Sequence, residues 1–167
     1  KAIEYFKKEK VDPILLILSS DHYIGDVKKF RKSIQNSVKI ATDGNLIIFG
    51  IIPSHPATGY GYIKAENQLK SNSFTANKVE KFIEKPDSKK AQSLFKDTKY
   101  SWNSGMFVFK ASSILKEISK FTPEIAENCK ECLRESKVDL DFLRLNKSFF
   151  SKCPDVSIDI AVFEKTQ

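Results

Sequence analysis

The sequence predicts an α/β fold on three observations. Residues 14–18 are five consecutive apolar side chains, the pattern of a strand covered on both faces, as in the middle of a parallel sheet. Residues 46–52 form a second such run, and between the two Val27, Phe30, Ile34 and Val38 recur at helical spacing. A helix joining two continuous apolar strands is the signature of a right-handed crossover unit.

Residues 2–9 open the chain with a short helical pattern, Ile3 and Phe6 sharing a face, and Val11-Asp12-Pro13 breaks it. The strand at 14–18 runs into S-S-D-H-Y-I-G-D. Ligands gather beyond the C-terminal ends of strands in open parallel sheets, so Asp21 and His22 stand where chemistry is usually done. Asp21 equally suits a helix N-cap or a turn, although Asp26, immediately before the Val27 helix, is the better cap. Thr42-Asp43-Gly44-Asn45 is a turn by composition and ends that helix. Residues 53–61, P-S-H-P-A-T-G-Y-G, form an irregular loop in which Gly59 and Gly61 supply either positive φ or a close backbone approach. The loop has neither G-x-x-x-x-G-K-[ST] nor G-x-G-x-x-G, so nothing supports a Walker-type or dinucleotide site. His55 reads as a loop hydrogen-bonder, not a catalyst.

Tyr60, Tyr62 and Ile63 lead into a strand, residues 66–73 are polar, and residues 74–83 are the next strand. Its end, N-K-V-E-K-F-I-E-K-P at 77–86, sets Val79 and Ile83 on one face and Phe82 on the other, and Pro86 closes it. Glu84 and Lys85 are thus delivered to a strand end. There a carboxylate accepts from sugar hydroxyls while the neighbouring ammonium neutralises phosphate; taken alone, such a pair is more often a solvated surface pair. Asp87 and Ser88 suit the cap of a short helix through Leu94 and Phe95. S-W-N-S-G reads as a small polar turn feeding a strand at 106–109, with Trp102 in the core and Asn103 offering carbonyl and amide to sugar hydroxyls. Residues 111–120 are helical by the spacing of Ile114, Leu115 and Ile118, and Thr122 and Pro123 start another helix with Ile125, Cys129 and Cys132 on one stripe. D-L-D-F-L-R-L and S-I-D-I-A-V-F-E read as short helices at the sheet's edge.

With 167 residues the chain has one domain's length, and its formal charge of +7 with pI about 9.2 suits an anionic partner. The basic residues are scattered, with no arginine cluster or basic-aromatic stripe, which points to a small phosphorylated ligand and not to nucleic acid. Cys129 and Cys132 lie three apart on a helix, and neither His22 nor His55 supplies further zinc ligands, so reduced cytosolic thiols are expected. No run approaches a membrane span and no signal-peptide core is present, consistent with a cytoplasmic protein. The start at K-A-I-E, without methionine, and the end at E-K-T-Q read as an excised piece.

In order, I-L-S-S-D-H-Y-I-G-D, F-G-I-I-P-S-H-P-A-T-G-Y-G-Y-I, V-E-K-F-I-E-K-P-D, W-N-S-G-M-F-V-F-K-A and S-I-D-I-A-V-F-E-K-T closely resemble the middle of bacterial mannose-1-phosphate guanylyltransferases, many of which also carry a mannose-6-phosphate isomerase domain. The resemblance implies a three-layer, Rossmann-like mixed sheet of the sugar-nucleotidyltransferase type, present as the central and C-terminal part of a single domain. It also implies transfer of GMP from GTP to mannose 1-phosphate with Mg2+, in the service of polysaccharide biosynthesis. By the same resemblance Asp21 matches a magnesium-binding aspartate and Gly61 the glycine lying against the sugar nucleotide. Glu84 matches the sugar-binding glutamate, Lys85 the lysine on the sugar phosphate and Asn103 a sugar-pocket asparagine, while Asp159 lies near that pocket. The family's upstream glycine-rich nucleotide loop and downstream W-x-D-x-G metal segment are absent from these residues. A missing first strand would leave an apolar sheet edge that favours self-association into a homo-oligomer. The competing readings are glucose 1-phosphate with UTP or dTTP, and a non-catalytic sugar-nucleotide sensor with the same fold.

Overall fold

The computed structural model describes Lys8, residues 11–69 and residues 76–166. The expected strand at 74–83 and helix at 2–9 therefore fall partly outside the described residues. The chain divides into two compact units, one of residues 13–110 and one of residues 1–12 with 111–167.

The first unit is a five-stranded sheet organised on β5 (Tyr100–Lys110), flanked by β1 (Ile14–Ile17), β2 (Ile47–Ile51) and β3 (Tyr62–Ala65), with β4 (Val79–Ile83) outside β3. Every described pairing is antiparallel, which corrects the expected parallel sheet. The two apolar runs do point the same way, but β5 lies between them and pairs with both. β2 holds one edge of β5 from Trp102 to Val108. Along the other edge β3 takes Tyr100 to Trp102 and β1 takes Phe107 to Lys110. The C-terminal end of β1 and the N-terminal end of β3 thus face each other across the gap opposite residues 103–106.

The turn expected in S-W-N-S-G is instead part of this one strand. Side chains supply the bonds a turn would have made: Asn103 Oδ1 accepts from the Gly105 amide at 3.1 Å and Ser104 Oγ from the Met106 amide at 3.3 Å. With Gly105 at φ +69°, these let residues 104–106 arch outward while the strand continues.

Helix α1 (Val27–Thr42) begins where Asp26 accepts from the Lys29 amide at 3.0 Å, as the sequence predicts. It packs on β5, β1 and β2. Helix α2 (Ser88–Phe95), capped by Asp87, places Ala91 and Leu94 against Tyr62 and Trp102 on the face opposite Ile63 and Ser101. Helices on both faces make three layers. The apolar strands are not fully covered: Leu16, Ile17 and Leu18 are exposed, and β1 pairs, among the described residues, with β5 alone.

The second unit holds α3 (Ala111–Phe121) and α4 (Pro123–Arg134), then β6 (Lys137–Asp139), β7 (Phe142–Arg144), α5 (Lys147–Phe150) and a π-helical turn (Asp159–Phe163). The helix expected at D-L-D-F-L-R-L is a β-hairpin. Leu140 takes the left-handed conformation at its tip (φ 51°), and Arg144 closes it on Asp139 at 3.0 Å. Ala161, Val162 and Phe163 of the π-helical turn are buried and pack with α3.

Candidate active site

The antiparallel order β4-β3-β5 decides what Gly61 meets. Tyr62 opposes Ile83 on β4 and Trp102 on β5, so the preceding residue, Gly61, lies between Glu84 and Asn103. Its carbonyl accepts from the Asn103 amide at 2.7 Å. A β-carbon on Gly61 would stand 2.5 Å from Glu84 Oε2, 3.2 Å from Phe82 Cζ and 3.4 Å from Asn103 Cβ. Of the two roles the sequence left open for this glycine, close approach is the one the fold uses.

Glu84 is largely buried, its side chain 12% exposed, and its second oxygen, Oε1, lies 3.5 Å from Lys85 Nζ, which is 65% exposed. One carboxylate therefore faces Gly61 with one oxygen and an accessible ammonium with the other. Lys85 sits at φ 40°, left-handed for a residue with a side chain and directly ahead of buried Pro86. That conformation costs about 1–2 kcal/mol, and strain of this kind concentrates at functional positions.

Asp21 is exposed in the turn after β1. Ser19, two residues earlier, is the neighbour that a side chain on Gly105 would meet, at 3.8 Å, so the chain leaving β1 passes the gap in β5's edge shortly before it reaches Asp21. Among the described residues, no group of three or more His, Cys, Asp or Glu side chains could hold a metal ion. A single exposed carboxylate at a strand end does fit magnesium's habit of taking one or two protein carboxylates and completing its shell with water and phosphate oxygens. Asp159, half-buried, opens the π-helical turn of the second unit.

An aromatic group beside this cluster escaped the sequence reading. His55 and Tyr60 each place a ring 5.0 Å from Trp102, and Tyr62 donates its hydroxyl to the Ala57 carbonyl at 2.9 Å, tying the loop at 53–61 down beside the site. Trp102 is core, as expected, with its Nε1 buried and without a hydrogen-bond partner. His55 does act as a loop hydrogen-bonder, through Nδ1 and Ser54 Oγ at 3.1 Å. A separate cavity of about 730 Å³ between α1 and the sheet, lined by Ser37, Ile40, Gly50 and Ile63 among others, contains none of the candidate residues.

A strand-end carboxylate and lysine, an asparagine and a closely packed glycine thus lie together on a three-layer α/β sheet. The sequence model described as "Nucleotidyl transferase" matches residues 1–148, and the chain belongs to that family. Among its relatives, mannose-1-phosphate guanylyltransferase RfbM of Salmonella typhimurium is 43% identical over 95% of this chain and 33% of its own length. Xanthan biosynthesis protein XanB of Xanthomonas campestris is 46% identical over 93% of this chain and 32% of its own. A crystal structure of mannose-6-phosphate isomerase from Helicobacter pylori superposes with a TM-score of 0.84 at 32% identity, over 93% of this chain and 59% of that one. The resemblance to mannose-1-phosphate guanylyltransferases thus holds across nearly all of this chain, which spans about a third of the length of those curated relatives.

Proposed function

We propose that the protein transfers GMP from GTP to α-D-mannose 1-phosphate, giving GDP-mannose and pyrophosphate. The observation that carries this reading is the close packing at Gly61, where the missing β-carbon lets Glu84 and Asn103 come together, with the exposed Lys85 ammonium beside Glu84. Glycine leaves room for the Glu84 carboxylate against the backbone. The Glu84 carboxylate accepts from sugar hydroxyls and Asn103 fixes their orientation. Lys85 is a point charge on a mobile stem, suited to a phosphate that must hold still while a second anion approaches.

The reaction needs no side-chain nucleophile. A phosphate oxygen of mannose 1-phosphate attacks the α-phosphorus of GTP, a new P–O bond forms, the α–β bridging bond breaks, and pyrophosphate leaves with the electron pair. The protein's contribution is alignment and offsetting of charge. Asp21 would hold magnesium, which would supply positive charge to offset that of the phosphates.

Pyrophosphate release by the full-length protein, measured across GTP, ATP, UTP and dTTP with mannose and glucose 1-phosphates, tests this. The highest kcat/KM is expected for GTP with mannose 1-phosphate. Preference for UTP or dTTP with glucose 1-phosphate would reassign the substrates, and binding without release would make the protein a sensor.

A further inference from the structure

We propose that the cavity between α1 and the sheet binds an uncharged small molecule, one with an apolar body and an N–H or O–H donor. The cavity measures about 730 Å³, within the range of about 300–1,000 Å³ usual for small-molecule sites. Its space is written into the sequence. Helix α1 turns Ser33 and Ser37, one turn apart, toward strands that present Gly50, Ala65 and Ser101. A helix ordinarily packs on its sheet through large apolar side chains, and interiors hold few voids larger than a water molecule. Small residues facing small residues leave room that those side chains would have filled.

Three hydroxyls give the cavity its chemistry. Ser33 Oγ donates to the Lys29 carbonyl at 3.1 Å and Ser37 Oγ to the Ser33 carbonyl at 2.8 Å. Each has therefore committed its proton to the helix and keeps only lone pairs for the cavity. Ser101 differs. It is 5% exposed, its Oγ stands where it would collide with a β-carbon on Gly50, and among the described residues that oxygen has no hydrogen-bond partner. A buried hydroxyl without a partner is rare, and a ligand that donates to Ser101 or Ser37 supplies one.

Around the hydroxyls the walls are apolar, Ile40 and Ile63 among them, and no described residue lining the cavity is charged, although charged residues make up 29% of the chain. A phosphate finds no cation here, and a carboxylate or ammonium would lose its hydration without a counter-charge. GTP, mannose 1-phosphate, GDP-mannose and pyrophosphate are all anionic, so the ligand is none of them. Asn67 and Gln68 are exposed and mark where the cavity meets solvent, Gln68 being held there by donation to Thr98 Oγ1 at 2.8 Å. Ser101 and Ile63 oppose each other in the sheet, and the next residues on that face are Asn103 and Gly61. The cavity thus shares its strands with the candidate active site, and none of its described lining residues.

The test uses indole as the probe, an uncharged bicycle with a single N–H. Indene has its shape without the N–H, and indole-3-acetate adds a charge. In NMR titrations of the full-length protein, indole should saturate one site with a Kd of about 1 mM or lower. Indene should bind about fivefold more weakly for want of one hydrogen bond, and indole-3-acetate should not compete for the site. GTP and mannose 1-phosphate should leave indole binding unchanged. Ser101→Ala, which removes only the hydroxyl, should weaken indole about fivefold and leave indene as it was. Ser37→Leu, which fills the cavity from the helix side, should abolish binding of both. No indole binding, equal affinity for the three probes, displacement by GTP or mannose 1-phosphate, equal effects of Ser101→Ala on indole and indene, or binding that survives Ser37→Leu would each overturn the assignment. The three-probe comparison needs no variant, so the outcome is decided even if Ser37→Leu does not fold.

Discussion

Glu84 Oε2 lies 2.5 Å from the point a β-carbon on Gly61 would occupy. Gly61 is needed here for space and not for backbone conformation. The first atom an added methyl meets is the end of a carboxylate that can swing away. Gly61→Ala should therefore destabilise the fold by only about 1 kcal/mol, the low end for overpacking. It should raise KM for mannose 1-phosphate in the full-length protein about tenfold, the loss of one charged hydrogen bond. Thermal melts and steady-state kinetics on the same variant separate the two effects.

Lys85 combines an accessible ammonium with a left-handed backbone. Lys85→Ala removes the charge and keeps the strain, and should cost about 10²-fold or more in kcat/KM. Lys85→Gly removes both, so it should be equally inactive yet match or exceed the wild-type melting temperature. His55→Ala should leave most of the activity. Equal losses in Lys85→Ala and His55→Ala would put the centre of the site in the loop at 53–61.

Gly50 presents a different kind of constraint. A β-carbon there meets Ser101 Oγ, and Ser101 Cβ at 2.8 Å, the latter fixed to the β5 backbone. Gly50→Ala should cost about 2–3 kcal/mol in denaturant unfolding, and adding Ser101→Gly should recover most of it.

Lys64 Nζ pairs with Glu80 Oε2 at 2.8 Å across β3 and β4. The hydrogen bond from Lys64 holds the Glu80 carboxyl below its ordinary range, and the same bond raises Lys64 above the usual lysine value. Glu80 therefore contributes stability above the ordinary glutamate pKa, and loses it as pH falls through the lowered one. Lys64 contributes below the ordinary lysine pKa, and loses it as pH rises through the raised one. In an NMR titration, Lys64→Met should move the Glu80 midpoint upward. An unmoved midpoint would show that the pair does not persist in solution.

Residues 1–167 alone should bind GTP and magnesium weakly, since their sequence holds no G-G-x-G-x-R-L loop. Calorimetric titration is the measurement. Low-micromolar affinity, about −8 kcal/mol, would locate a nucleotide cradle within this stretch.

Local chemistry was legible in the sequence and long-range register was not. Asp26 and Asp87 could be recognised as caps because a cap reaches only three residues ahead. Glu84 and Lys85 could be placed at a strand end for the same reason. That Glu84 and Asn103 meet across Gly61 depends on β3 pairing with both β4 and β5, which no residue spacing encodes. The apolar runs at 14–18 and 46–52 suggested parallel neighbours because a strand inserted between them came from much later in the chain. The hairpin at 137–144 passed for a helix because the apolar residues in and just after it, Val138, Leu140, Phe142, Leu143 and Leu145, mix both periods. The strain at Lys85 left no trace, since lysine carries no preference for positive φ.

β5 serves as the common partner of β1, β2 and β3, and this has a cost during synthesis. On the ribosome, both apolar strands emerge long before residues 100–110 exist to pair with them. Until then residues 14–18 and 46–52 are sticky segments of a nascent chain with no sheet to join, and the closing of the sheet waits on one late event. Amides of Phe107 and Val108, bracketed by β1 and β2, should be the last to surrender their protons to exchange, because the sheet cannot open there without releasing both of those strands.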